Sequence, residues 1–267
     1  MTAERLHGTE GVSGPEISLA DHLRDLHRRF IRILIALAAG MVVAAPFYEP
    51  LLHLLVAPLN QVPQVLAPTE AFVVALKVIF VIGITLAMPV ILYQFLAFLL
   101  PALTKREKRQ LLVFLPLGVA LFVLGLFFGA YVAIPAALNW LQSFGGSWVE
   151  DQYRLTDYVS FVTTLLLALG FGFQTPLVVF FVARLGIVDY ATVRRNIRWA
   201  FLVAAVVAAL LTPTPDPYNM LVVMVPLFVL YLLGVFMARW AQGWSRIDWL
   251  CFNSVEIRHA VVRHGAR

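Results

Sequence analysis

Residues 101–110 read PALTKREKRQ, four bases around a single acid, set between the long apolar runs 71–100 and 111–140. Lys and Arg beside an apolar span resist translocation, so a basic turn of this kind is retained in the cytoplasm. The same sorting holds outward along the chain. Lys and Arg gather in four blocks, Arg5 to Arg32, Lys105 to Arg109, Arg184 to Arg198 and Arg239 to Arg267. Between Arg32 and Lys77 there is none, between Arg109 and Arg184 only Arg154, and between Arg198 and Arg239 none. Each blank stretch crosses the membrane and returns. The pattern therefore predicts an all-α membrane protein of six transmembrane helices with both termini cytoplasmic, and multi-pass insertion in the plasma (inner) membrane of a prokaryote.

Composition agrees. With 61% hydrophobic and 13% charged residues and a mean hydropathy of +0.86, too little polar surface exists to cover a soluble globule of 267 residues. The formal charge of +5 is accounted for by basic blocks that meet anionic lipid headgroups, so no nucleic-acid partner is implied. A lone cysteine, Cys251, excludes an intrachain disulfide framework. Arg28, Arg29 and the apolar run 31–45 imitate a signal peptide, but the polar leader is long and Pro46 directly follows the candidate cleavage site, so this segment is read as a retained span.

The spans are expected at Phe30–Ala45, Ala71–Leu100, Leu111–Trp140, Tyr158–Arg184, Trp199–Leu211 and Met220–Ala238, inside a membrane domain over 19–239. Residues 1–18 and 240–267 are read as cytoplasmic tails, mobile over 1–18 and from about Ser245 to Arg267. Pro89, Pro116, Pro135 and Pro176 fall inside spans and offer bends. The fifth span, thirteen residues, covers only about 20 Å of a hydrocarbon core of roughly 30 Å, which marks the last two spans as a short hairpin suited to docking or bilayer distortion. The loop 46–70 is proline-rich yet apolar, and is expected to lie as a short interfacial helix capping the bundle. Thr156 and Asp157 stand where a helix N-cap is wanted.

No catalytic constellation is visible: HExxH, GxSxG, P-loop and dinucleotide signatures are absent, and none of the six histidines lies inside a span. The reading is a non-enzymatic protein with no cofactor and no metal. In DHLRDLHRRF (21–30), His22, Asp25 and Arg29 share one helical face and Leu23, Leu26 and Phe30 another, which suits either a lipid anchor or a carboxylate presented at the cytoplasmic surface. Glu107 is the sole acid of its basic turn, where local charge pairing is the plain explanation. At depth, Lys77 and Gln174 stand out. Lys77 lies two turns from Glu70 and is expected to snorkel towards that carboxylate, and Gln174 to hydrogen-bond another helix. Proline-broken helices and Gln174 also suit a secondary transporter of a small solute, but the inverted repeats and polar midplane typical of such proteins are not apparent.

Several local patterns occur in order: HLRDL (22–26), APL (57–59), PTEAF (68–72) followed by Lys77, MPVILYQFLAFLLPALTKREKR (88–109), GFQTP (172–176) and LTPTPDPYN (211–219). Together they resemble the TatC family, the receptor subunit of the twin-arginine protein translocase, over residues 21–239. The resemblance implies a glove-shaped, concave bundle with two short C-terminal spans, driven by the proton motive force. It further implies self-association and single-span partners, TatA and usually TatB. The task it implies is recognition of signal peptides bearing adjacent arginines and export of their folded cargo. By position, Asp25 and Glu107 would receive the arginine pair, with Phe98 and His22 beside them. Gln174, Lys77, Asp216 and Asn219 would be intramembrane or partner-facing polar groups, and Glu70 and Asp157 acids of the outer side. His27 stands where the family motif usually has arginine, and Gln174 where many members have glutamate.

Overall fold

The computed structural model describes residues 19–59, 61–99, 105–143, 153–184, 188, 190–211 and 217–239. Side chains at 19–22, 99 and 105–113 lie outside that description. The described chain is helical. In order come α1 (Leu19–Ala44), α2 (Tyr48–Val56), α3 (Glu70–Leu99), α4 (Lys105–Phe128), α5 (Ile134–Ser143), α6 (Leu155–Gly172), α7 (Thr175–Arg184), α8 (Tyr190–Arg195), α9 (Ile197–Leu211) and α10 (Pro217–Arg239).

Five runs are long and apolar enough to cross a bilayer, and they begin at Leu23, Glu70, Phe114, Leu155 and Pro217. The expected fifth span is α9, an apolar helix of fifteen residues, about 22 Å long. The expectation of two short C-terminal spans is corrected by α10, whose 23 residues extend about 34 Å, because its first turn starts at Pro217 rather than Met220. Proline suits that place, since the first helical N–H has no acceptor to lose.

The interior prolines are handled differently from one another. α3 runs unbroken through Pro89. Ahead of Pro135 the chain widens into a π turn, Gly129–Ala133, in which the Ile134 N–H donates to the Gly129 carbonyl. Pro176 cannot bond the Gly172 carbonyl, and the Thr175 hydroxyl does so instead at 2.7 Å, leaving a turn at Phe173–Gln174 between α6 and α7. A freed carbonyl in lipid would otherwise cost several kcal/mol, about the value for any unsatisfied backbone group there. The expected capping role of Thr156 and Asp157 is not found. Arg154 occupies the N-cap of α6 without a side-chain bond, and Asp157 is already inside the first turn.

The helices pack around two apolar clusters. One joins α2, α3, α6 and α10 through Leu55, Val74, Val78, Val162, Leu166 and Val223. The other joins α3, α4 and α7 through Met88, Leu92, Phe122, Leu177 and Phe180, with Phe114 against Phe180 at 4.5 Å between ring centroids. Lipid is as apolar as these side chains, so close fit rather than hydrophobic transfer holds the helices, and small residues stand at the crossings. A Cβ on Gly40 would sit 2.6 Å from the Gly83 carbonyl oxygen, and one on Gly125 would sit 2.7 Å from the Leu169 carbonyl oxygen. Outward faces carry Val42, Leu210 and Phe236, each more than two-thirds exposed, a surface made for hydrocarbon.

The described parts of the basic blocks, the start of α1, the start of α4 and the end of α7, lie towards one end of the bundle, called here the basic end. The expected capping helix of the first loop is α2, joined to α1 through a 3-10 turn at Ala45–Phe47 and seated at the far end. There Gln64 N–H donates to the Tyr153 carbonyl and Leu155 N–H to the Gln64 carbonyl, both at 2.9 Å, tying two loops together.

Gly125→Ala, whose methyl would meet backbone, should lower the melting temperature of the purified protein by the equivalent of about 1–3 kcal/mol, the usual cost of overpacking. Gly118→Ala should cost less, because its methyl meets side-chain ends, those of Leu92, Leu177 and Gln174, rather than backbone. Equal shifts in a thermal unfolding assay would contradict the crossing described.

Candidate functional site

The inward stripe of α1 is Asp25, Arg29, Ile33, Leu37, Gly40 and Ala44, recurring every three or four residues. Leu23, Leu26 and Phe30 point outward and are roughly half or more exposed. A helix lying on a lipid surface would turn its charges to water and its leucines to the membrane. Here Asp25 and Arg29 continue the half-buried stripe of α1 that leads to Gly40, while Arg24, His27 and Arg28 stand exposed among the leucines.

What it faces follows from register. α1 and α3 are antiparallel neighbours in contact at Gly40 and Gly83. Eleven residues from that contact towards the basic end, 40 to 29 on α1 and 83 to 94 on α3, stand Arg29 and Gln94. Fifteen residues along, 40 to 25 and 83 to 98, stand Asp25 and Phe98. Steps of eleven and fifteen at about 100° per residue return to within roughly 20° and 60° of the starting face. Two levels result, a guanidinium with an amide and, one turn nearer the basic end, a carboxylate with a ring.

Within α1, Arg29 Nε donates to Asp25 Oδ2 at 2.8 Å, and the Arg29 side chain is 17% exposed against 44% for Asp25. Phe98 is half-buried in the last turn of α3. Glu107 lies in the first turn of α4, just across the α3–α4 turn, and His22 in the first turns of α1; the side chains of both lie outside the described residues. Gln94, which the sequence reading passed over, is 7% exposed and its Oε1 has no hydrogen-bond partner. Its signal was its being an amide in an apolar run.

The far end is closed by polar ties instead. Glu70, 4% exposed, accepts from the Arg154 guanidinium and from the Leu66 N–H at 3.1 Å. Hydrogen bonding and charge from Glu70 push Arg154 above its ordinary value, so it stays charged. The expected reach of Lys77 to Glu70 is corrected: Lys77 Nζ donates to the Ser160 hydroxyl, which donates onward to the Thr156 carbonyl. Arg154, the one base in an otherwise blank stretch, satisfies Glu70 from the neighbouring loop. Tyr158 also donates to the Leu55 carbonyl at 2.7 Å, fastening α6 to α2. Asp157 is exposed beside these groups.

At mid-depth, Gln174 is 6% exposed, its Nε2 donates to the Gly118 carbonyl at 2.9 Å, and its Oε1 has no partner. Lys77 and Gln174 thus bond different helices and do not converge. Asn219 is 2% exposed in the first turn of α10, close behind the stack of Tyr218 on Trp140 at 4.8 Å. Asp216 lies outside the described residues.

The family model described as Sec-independent protein translocase protein (TatC) matches residues 21–226. The chain belongs to the TatC family. Among TatC relatives, that of Carboxydothermus hydrogenoformans is 32% identical over 229 residues, covering 85% of this chain and 94% of the relative. The TatC protein of Koribacter versatilis is 36% identical over 228 residues, 82% of this chain and 84% of the relative. A crystal structure of the twin arginine translocase receptor TatC superposes with a TM-score of 0.74 at 30% identity, covering 83% of this chain and 99% of the other. The helical membrane architecture expected from the charge pattern is therefore that of a TatC protein.

Arg154→Leu should strand the Glu70 carboxylate and destabilise the protein by roughly 1–3 kcal/mol, the cost of an unsatisfied buried polar group. Adding Glu70→Gln should restore much of the loss, because the stranded charge disappears with it. Additive losses in thermal melts of the four variants of this cycle would show that the two side chains do not act as a pair.

Proposed function

We propose that this chain is the receptor subunit of a twin-arginine translocase, binding adjacent arginines of a signal peptide at Asp25 and Glu107 on the cytoplasmic face. The observation that carries the reading is the Asp25 carboxylate on the inward stripe of α1, level with Phe98, in a chain of the TatC family. The basic end is then cytoplasmic, both tails lie on that side, and α9 is the fifth of six spans. The protein is a component of a translocase and carries no reaction of its own; export draws on the proton motive force.

Guanidinium offers a planar fork of N–H donors that a carboxylate accepts in pairs, whereas a lysine ammonium presents a single point charge. Exposed ion pairs contribute about 0–1 kcal/mol, too little to hold a peptide. Shelter between helices raises a charge-assisted bond to about 1.5–3 kcal/mol. Asp25 is half-sheltered, and a ring at its level suits a cation over its face. Glu107, on the first turn of α4, would take the second arginine, with His22 as a further contact of the peptide. The apolar part of the peptide lies along a groove between helices and supplies the remaining affinity.

Partner helices of TatA and TatB type would dock on the far half of α9 and α10 near Asp216 and Asn219, and at Gln174, whose free Oε1 accepts from a polar side chain on such a helix. Further copies of the chain join in the assembled complex. A solute carrier needs polar groups converging at mid-depth, and Lys77 and Gln174 do not converge.

Exchange of both Asp25 and Glu107 for alanine should abolish export of a twin-arginine substrate while the protein still inserts and folds. Loss of two charge-assisted contacts corresponds to peptide binding weaker by about two to four orders of magnitude. Normal export by the doubly substituted protein would remove these carboxylates from the site.

A further inference from the structure

Gln94 poses a question that the arginine site as described leaves open. A side-chain carbonyl without a hydrogen bond, on a residue only 7% exposed, is costly, and such a group calls for an explanation. Gln174 shares the defect, yet its amide is anchored on Gly118 and it belongs to the mid-depth docking position. Gln94 stands at the level of Arg29, on the face of α3 set against α1, where packed helix axes are about 8–10 Å apart.

Arg29 has a difficulty of the complementary kind. It occupies Asp25 Oδ2, the atom that an incoming arginine requires, and with a side chain only 17% exposed it cannot simply turn into water. A guanidinium arriving from a signal peptide either shares Asp25 with Arg29 or displaces it. A displaced buried guanidinium needs another acceptor nearby, and among the described residues Gln94 Oε1 is a buried acceptor at its level without a partner.

We propose that Gln94 is the alternate acceptor for Arg29: arginine binding at Asp25 hands the Arg29 guanidinium across the α1–α3 interface to Gln94 Oε1. In the empty receptor Arg29 neutralises Asp25, sparing the site a lone half-buried carboxylate. In the occupied receptor Arg29 bonds Gln94, and two guanidinium groups no longer compete for one carboxylate. Gln94 is thus a positioning residue that acts through Arg29 rather than on the peptide. The exchange also moves charge from one helix to the seam between two, so that occupancy of the site is felt at α3.

This inference rests on Asp25 being an arginine acceptor, and one set of measurements separates the two. The affinity of a synthetic signal peptide with two adjacent arginines is measured on the full-length protein in nanodiscs, for Gln94→Met, Gln94→Glu, Arg29→Leu, Arg29→Leu with Gln94→Met, and Asp25→Ala. Methionine keeps the volume of glutamine and removes the acceptor. Gln94→Met is expected to bind the peptide about tenfold more weakly, the equivalent of one charge-assisted bond. Gln94→Glu, which still accepts, should bind like the wild type or more tightly. In the Arg29→Leu background, Gln94→Met should change nothing further, since no guanidinium is left to rehouse.

Wild-type affinity in Gln94→Met overturns the handover. A tenfold loss that persists without Arg29 overturns it too, and makes Gln94 a direct contact of the peptide. If Gln94→Met fails to fold, weak binding by Gln94→Glu is the result that overturns the proposal. Should Asp25→Ala bind as the wild type does, the arginine site itself is misplaced. Weak binding by Asp25→Ala with normal binding by Gln94→Met leaves the site standing and removes only the handover.

Discussion

The approach of α1 to α3 at Gly40 and Gly83 is the constraint on which the rest of the site depends. No Cβ fits there: one on Gly40 would overlap the Gly83 carbonyl, and one on Gly83 would overlap Met41. Helices in lipid have no hydrophobic drive to associate, so the closeness of this contact supplies the attraction and also fixes the register. Register then does the chemical sorting. It sets Arg29 level with Gln94 and Asp25 level with Phe98, and it turns the charged stripe of α1 inward while leucines meet lipid.

The far end of the bundle is fastened by a polar network. At the far end polar groups are tied: Glu70 to Arg154 and Leu66, Tyr158 to Leu55, Gln64 to Tyr153 and Leu155. That network fastens α2, α3 and α6 together, and a Lys77–Ser160 bond extends it down the α3–α6 seam. At the basic end, among the described residues, Asp25 Oδ2 accepts from Arg29 and Gln94 Oε1 has no partner. Satisfied polar groups make a rigid frame, and incompletely satisfied ones leave donors and acceptors for a ligand.

Charge blocks and apolar run lengths made the helical membrane architecture legible because they report on lipid and water directly, without tertiary contacts. They gave the order of the helices, the shortness of α9 and the capping place of α2. The start of α10 was read three residues late, since the proline that opens the helix reads as loop. Pairings were harder. Lys77 and Glu70 share a helix and were matched by spacing, while Arg154, 84 residues further on, won the carboxylate through a loop contact. Gln94 went unread for the same reason: an amide in an apolar run shows its importance only once the glycine contact says which face it occupies. Asp25 was visible as a charge on a stripe, but the stripe's inward direction required α3.

The measurement that bears most directly on arginine recognition is photocrosslinking of a signal peptide to the membrane-embedded protein, with photoreactive residues beside Asp25 and Glu107. A peptide with two arginines should crosslink at both positions, and the same peptide with two lysines should lose those crosslinks, because an ammonium cannot make the paired bonds a guanidinium makes. Equal crosslinking of the two peptides would contradict recognition of arginine at these carboxylates.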